Sequence, residues 1–135
     1  MNQTQQYKFG VNQRPGSYLP PGNYRVRIRD ARRGISANGN ELIRLDLWQP
    51  EQGVLIRDQL VLIDKCFWKL DEFCLCFDLG LSKGASITPD QAFADSLVGR
   101  LGFVRLKDDC PNGIKVSKVD AYLPAKATET VAAYE

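Results

Sequence analysis

The sequence predicts a mainly β fold, a five-stranded Greek-key barrel with one helix between strands three and four. Three observations predict it. Several short stretches alternate apolar and polar residues with a period of two, the mark of half-buried strands. Asn38-Gly39 and Asn112-Gly113 stand between such stretches, and this dipeptide suits tight reversals with positive φ. Between the third and fourth stretches the period changes: Phe67, Leu70, Cys74 and Phe77 recur at three- and four-residue steps, one stripe of an amphipathic helix.

Taken in order, residues 1–22 form an extended arm rich in Gln, Asn, Gly and Pro, closed by Leu19-Pro20-Pro21-Gly22. The proline pair disfavours helix and sets a turn. Tyr7, Phe9 and Tyr18 in this arm are expected to pin it to the barrel. The domain proper spans residues 23–122. Strand one is predicted from Asn23 to Arg33 and strand two from Glu41 to Gln49. Strand two turns Ile43, Leu45 and Leu47 inward and Leu42, Arg44, Asp46 and Trp48 outward.

Strand three follows from Val54 to Leu62, with Ile56 and Leu60 inward and Arg57 and Gln59 outward. Asp58 falls on the inward side, and the sequence offers no reason for it. The helix is predicted over Lys65–Leu79, stopped by Gly80, with Trp68 covering the barrel. A short helical turn follows, capped by Thr88 with Pro89 at its first position. Strand four is predicted over Val98–Lys107 with a bulge or tight bend at Gly99. Strand five covers Lys115–Tyr122, and residues 123–135 form a tail.

This order of strands and helix is that of an OB-fold, which binds oligonucleotides on the outer face near strands two and three.

Composition narrows the chemistry. Among 135 residues there is no histidine, which removes Ser-His-Asp and Cys-His nucleophile activation and every His-containing metal site. No carboxylate spacing singles out an acid pair or a metal-binding cluster, so no catalytic residue, no nuclease activity and no cofactor is expected. Cys66, Cys74, Cys76 and Cys110 lack the paired spacing of a zinc site. They read as thiols in a reducing compartment, with no metal bound. No apolar run approaches the roughly 20 residues of a membrane span, and Met1 to Gln6 lack the apolar core of a secretory signal. A cytoplasmic protein without membrane contact is expected.

The charge is unevenly placed. Residues 1–40 carry seven Lys and Arg against Asp30 alone, while the chain as a whole has a net charge of only +2. Arg25, Arg27 and Arg29 occupy alternate positions of strand one and so share a face. With Arg44 and Arg57 they form a cationic surface suited to phosphates. Arg32 and Arg33 extend it into the first hairpin, and Arg105 adds to it from strand four. Trp48 and Phe103 supply flat surfaces for unstacked bases. Backbone-tracking charge and stacking platforms are the two requirements of single-strand binding. A simpler role exists for each residue: exposed arginines are often merely solvated, and Trp48 is equally suited to capping the barrel end.

A resemblance supports the nucleic-acid reading. Leu19-Pro20-Pro21-Gly22-Asn23-Tyr24-Arg25-Val26 and Asn38-Gly39-Asn40-Glu41-Leu42-Ile43-Arg44-Leu45 resemble the start of a family of small phage and prophage proteins. Arg57-Asp58-Gln59-Leu60, Phe77-Asp78-Leu79-Gly80, Leu97-Val98-Gly99-Arg100 and Ala121-Tyr122-Leu123-Pro124 continue the likeness over residues 9–124. The resemblance implies a single-stranded-DNA-binding OB-fold protein of phage replication or recombination, working in the bacterial cytoplasm. Its implied partners are single-stranded DNA and phage replication or recombination proteins, with homo-oligomers left open. Many such proteins end in a strongly acidic tail, whereas here only Lys126, Glu129 and Glu135 are charged after Pro124. The alternative is a barrel that docks on a replication or recombination enzyme through the net-acidic helix, which carries Asp64, Asp71, Glu72 and Asp78 against Lys65 and Lys69.

Overall fold

The structure, a computed structural model, describes Gln6 and residues 18–125. Tyr7 and Phe9, expected to anchor the arm, lie outside the described residues. Five strands are present: β1 (Gly22–Ile35), β2 (Glu41–Gln49), β3 (Val54–Val61), β4 (Leu101–Asp109) and β5 (Val116–Leu123). Between β3 and β4 come a 3-10 turn at Asp64–Cys66, helix α1 (Phe67–Cys76) and helix α2 (Gln91–Leu97). All five strands join one antiparallel sheet in the order β3-β2-β1-β4-β5. β1, with its arginine row, is therefore the central strand. Among the described residues no helix is long and apolar enough to cross a membrane.

The inner side of the sheet is the core. Val26, Ile28, Ile43, Leu45, Leu47, Ile56, Leu60, Val104 and Leu106 are all buried there. Helix α1 presses Phe73, Cys76 and Phe77 against them. Phe73 meets Tyr122 of β5 edge-on, with ring centroids 5.3 Å apart, a favoured aromatic geometry. Gly102 lets the helix come this close. A Cβ there would stand 2.8 Å from Cys76 Sγ and 2.9 Å from Phe77 Cε1.

Asp58 now has its reason. Its carboxylate, with side-chain exposure of 8%, accepts from Lys69 Nζ of α1 at 2.9 Å and from the Tyr122 hydroxyl of β5 at 2.5 Å. The inward carboxylate thus ties β3 to α1 and to β5, the strand at the other end of the sheet. The described part of the arm is also anchored. The Leu19 N–H donates to Ser117 Oγ at 2.6 Å, and the Ser117 hydroxyl donates to the Leu19 carbonyl at 2.8 Å.

Several boundaries differ from the expectation. Bulges lie in β1 and in β5, and none at Gly99. In β1 Ile28 pairs with Leu47 and Asp30 with Asp46, which leaves Arg29 as an extra residue. In β5 Asp120 is the extra residue between Val119, paired with Leu106, and Ala121, paired with Arg105. Gly99, at φ +93°, sits instead in the turn before β4. Its N–H donates to Ile28 O at 2.7 Å, and the Ile28 N–H donates to Arg100 O at 2.9 Å. Val98–Arg100 are therefore turn, and β4 starts at Leu101.

Helix α1 ends at Cys76 rather than Leu79. Asp78 takes the left-handed conformation at φ 49°, and the Leu79 N–H reaches back to Cys74 O at 3.2 Å, a Schellman-type stop. The cap of α2 is Asp90, whose side chain accepts from the Phe93 N–H at 2.9 Å, in place of Thr88. Trp68 does not cover the sheet: it is 62% exposed.

Candidate nucleic-acid interface

Strand pairing puts the outward side chains of β1, β2 and β3 into rows. Arg32, Arg44 and Gln59 share one row; Asp30, Asp46 and Arg57 share the next; Arg27, Trp48 and Leu55 share the third. On the other flank of β1, Arg27 faces Leu101 and Arg25 faces Phe103. The bulge at Arg29 makes this register possible. A strand with strict alternation would send Arg32 to the face opposite Arg29, yet one extra residue returns Arg32 to the outer side and turns Ala31 into the core.

Trp48 is half-buried on this surface, one residue from the end of β2. The Arg29 guanidinium carbon stands 5.1 Å from the centre of its ring, within cation–π range. Arg27 is directly across the ladder. Among the described residues neither Arg27 nor Arg29 has a carboxylate partner. Arg44 donates to Ile35 O at 3.3 Å. Its guanidinium lies in the space left by Gly34, where a Cβ would be 2.1 Å from Arg44 Nη1.

The remaining arginines are engaged. Arg25 meets Glu51 at 2.7 Å, Arg32 meets Asp30 at 2.8 Å and Arg105 meets Asp120 at 2.8 Å. Arg57 is 3.8 Å from Asp46 with 80% of its side chain exposed. A hydrogen bond from Arg105, reinforced by its charge, holds the Asp120 carboxyl below its ordinary range. Glu51 is also lowered, first by a backbone hydrogen bond and then by the charge of Arg25.

Arg33 stands apart from the others. It donates to Pro89 O at 2.6 Å and pairs with Glu41 at 3.2 Å, while its own N–H donates to Gln91 Oε1 at 3.0 Å. These bonds fasten the start of α2 to β1, a structural duty. Phe103 is half-buried on the outer face, between Arg25 and Leu123.

A groove of about 570 Å³ runs from this surface to the β4–β5 hairpin. Arg32, Arg44, Asp46, Arg57 and Gln59 line one side; Asp109, Val116, Ser117 and Lys118 line the other. The hairpin residues were not among the sequence candidates. Lys118 lies 61 positions beyond Arg57 in the chain and on the opposite edge strand of the sheet, and only the approach of β5 to β3 brings the two together. The cross-strand pair Asp30 and Asp46 also escaped notice, because its register depends on the bulge. These two carboxylates face each other amid the arginines, and Arg32 and Arg57 offset a like-charge contact that is unfavourable by itself.

The four cysteines are free thiols. Burial pushes Cys76 up to about 11 and also raises Cys74, which keeps both protonated and unreactive near neutrality. Among the described residues no group of three or more His, Cys, Asp or Glu could hold a metal ion. No protein-family model matches the chain, and no curated protein matches it.

Proposed function

We propose that the chain binds single-stranded DNA without enzymatic action, with weak sequence preference, and serves phage replication or recombination. The observation that carries the reading is Trp48 near the end of β2, beside the central strand, with Arg29 over its ring and Arg27 across the ladder. An aromatic face with adjacent guanidinium groups fits one unstacked base together with its phosphates. A duplex keeps its bases stacked and offers the platform nothing to take. The groove lined by Arg44, Arg32 and Lys118 gives the backbone a continuation past the platform.

The sheet itself favours the same reading. We read β3-β2-β1-β4-β5 as an OB barrel whose wall closes where β3 approaches β5, with α1 between strands three and four. The Asp58–Tyr122 bond between those two strands supports that closure.

The test is competition binding at two salt concentrations with single-stranded DNA, duplex DNA and RNA of equal length. The reading expects single strands to win over duplex at both salts and affinity to fall steeply with salt. Equal affinity for duplex, or no binding to oligo-dT in low salt, would sink it.

A further inference from the structure

A second surface shares no residue with the arginine face. A groove of about 510 Å³ lies between α1, the 79–90 segment and the start of α2. Its lining is mainly apolar and includes Phe67, Leu70, Leu75, Leu81, Ile87 and Phe93. Phe67, Leu75, Leu81 and Ile87 are four of the nine large apolar side chains exposed among the described residues. Such clustering, as opposed to scattered single residues, marks an interaction surface.

The surrounding charge specifies the partner. Residues 64–95 contain six carboxylates, Asp64, Asp71, Glu72, Asp78, Asp90 and Asp95, against Lys65, Lys69 and Lys83. Lys69 is drawn inward onto Asp58, so its charge is spent there and the surface is more acidic than the sequence implies. Within the lining, Asp71 stands on α1 and Lys83 on the 79–90 segment, so the α1 side, which also carries Glu72, is the acidic one. No strand residue lines the groove, so an extended peptide finds no sheet edge to extend. An occupant must satisfy its own backbone, which an α-helix does.

We infer that this groove docks an amphipathic helix of a protein partner, with apolar residues along one stripe and Lys or Arg beside it. The apolar stripe enters between α1 and the 79–90 segment, and the basic flank meets Asp71 and Glu72. Binding here leaves the arginine face open, so a partner and a nucleic-acid strand are held at once.

Panning a random peptide library on the full chain tests this, with the Leu75→Asp, Leu81→Asp double variant as counter-selection. Leu75 is 62% exposed, so its replacement spares the core, and an unchanged circular dichroism melt checks that. The expected peptides carry apolar residues at i, i+3 or i+4 and i+7, with flanking Lys or Arg. A fluorescein-labelled winner loses affinity at least tenfold on the double variant, and about as much on Asp71→Lys, Glu72→Lys. Failure to enrich any such peptide overturns the inference, as do winners that are neutral or acidic or that bind the variants equally well. It is also overturned if sedimentation shows a dimer that Leu75→Asp dissolves, or if deleting residues 126–135 exposes Phe67 and Leu75 to labelling. Those two results would give the groove to a second copy or to the chain's own tail.

Discussion

Asp58 is a carboxylate turned into the protein, and its two partners decide its worth. Removing it leaves the Lys69 ammonium with the Gln59 carbonyl alone and takes the acceptor from the buried Tyr122 hydroxyl. Asp58→Ala is therefore expected to cost about 3 kcal/mol, the order seen when one member of a buried pair is deleted, measured by urea unfolding. Tyr122→Phe keeps the ring against Phe73 and removes only the donor, for a loss of about 1.5–2 kcal/mol. Burial, and then the charge of Asp58, raises the Tyr122 phenol well above its ordinary value of 10.0. The unfolded chain thus ionises first, so this contribution is whole below about pH 10 and is lost as pH rises further. Tyr122→Phe should lose less stability than the parent between pH 9 and 11, and an identical decline would contradict the assignment. Trp48 makes a different prediction. Trp48→Ala should weaken oligo-dT binding about tenfold, within the range for one stacked base, with little change in salt dependence. Unchanged affinity in a fluorescence titration would return Trp48 to a purely structural role.

At the scale of elements, the stop of α1 is held by one unfavourable residue. Asp78 sits at φ 49° in a position that glycine fills without steric cost. Asp78→Gly is expected to stabilise the protein by about 1 kcal/mol, visible as a higher urea midpoint at constant slope. A loss of stability would mean that the Asp78 side chain contributes something the backbone geometry does not reveal. The helix stop also shows what was legible in the chain. Inward Ile43, Leu45 and Leu47 and the bounds Glu41–Gln49 follow from alternation alone, whereas Leu42, expected outward, is fully buried. Alternation says nothing of insertions, so the bulge at Arg29 was invisible, whereas Gly99 was legible as a bend, though one that precedes β4 instead of lying within it. Gly99 is needed for positive φ in a turn whose partner is Ile28, some seventy residues away. Asp58 was equally opaque, because no spacing rule links it to Lys69 and Tyr122. The arginine row and Trp48 were legible as outward residues on neighbouring strands. That Arg33 turns aside to hold Pro89 was not, since its partner lies beyond the third strand.

Across the whole molecule, charge is sorted twice: arginines over the central strands, carboxylates over residues 64–95. The sorting also operates within the arginine face. Arg25, Arg32, Arg57 and Arg105 each face a carboxylate already, and a phosphate must displace that partner to gain the full charge. Exposed pairs of this kind contribute little to stability, but they reduce the net positive charge a strand meets. On the proposed function, the salt dependence of binding is therefore expected to rest mainly on Arg27, Arg29 and Arg44, fewer cations than the number of arginines on these strands. Glu51→Gln frees Arg25 of its partner and should raise affinity for oligo-dT several-fold at low salt, by anisotropy titration. No gain would mean that Arg25 does not reach the strand.

The central claim is that Arg27 and Arg29 hold phosphates beside the Trp48 platform. The most direct measurement is the slope of log affinity against log salt for oligo-dT, by fluorescence anisotropy, in the parent and in Arg27→Ala, Arg29→Ala. With one phosphate held by each arginine, the slope should become shallower by about 1.4 in the double variant, at roughly 0.7 per contact on a single strand. Equal slopes in the two proteins would contradict the claim.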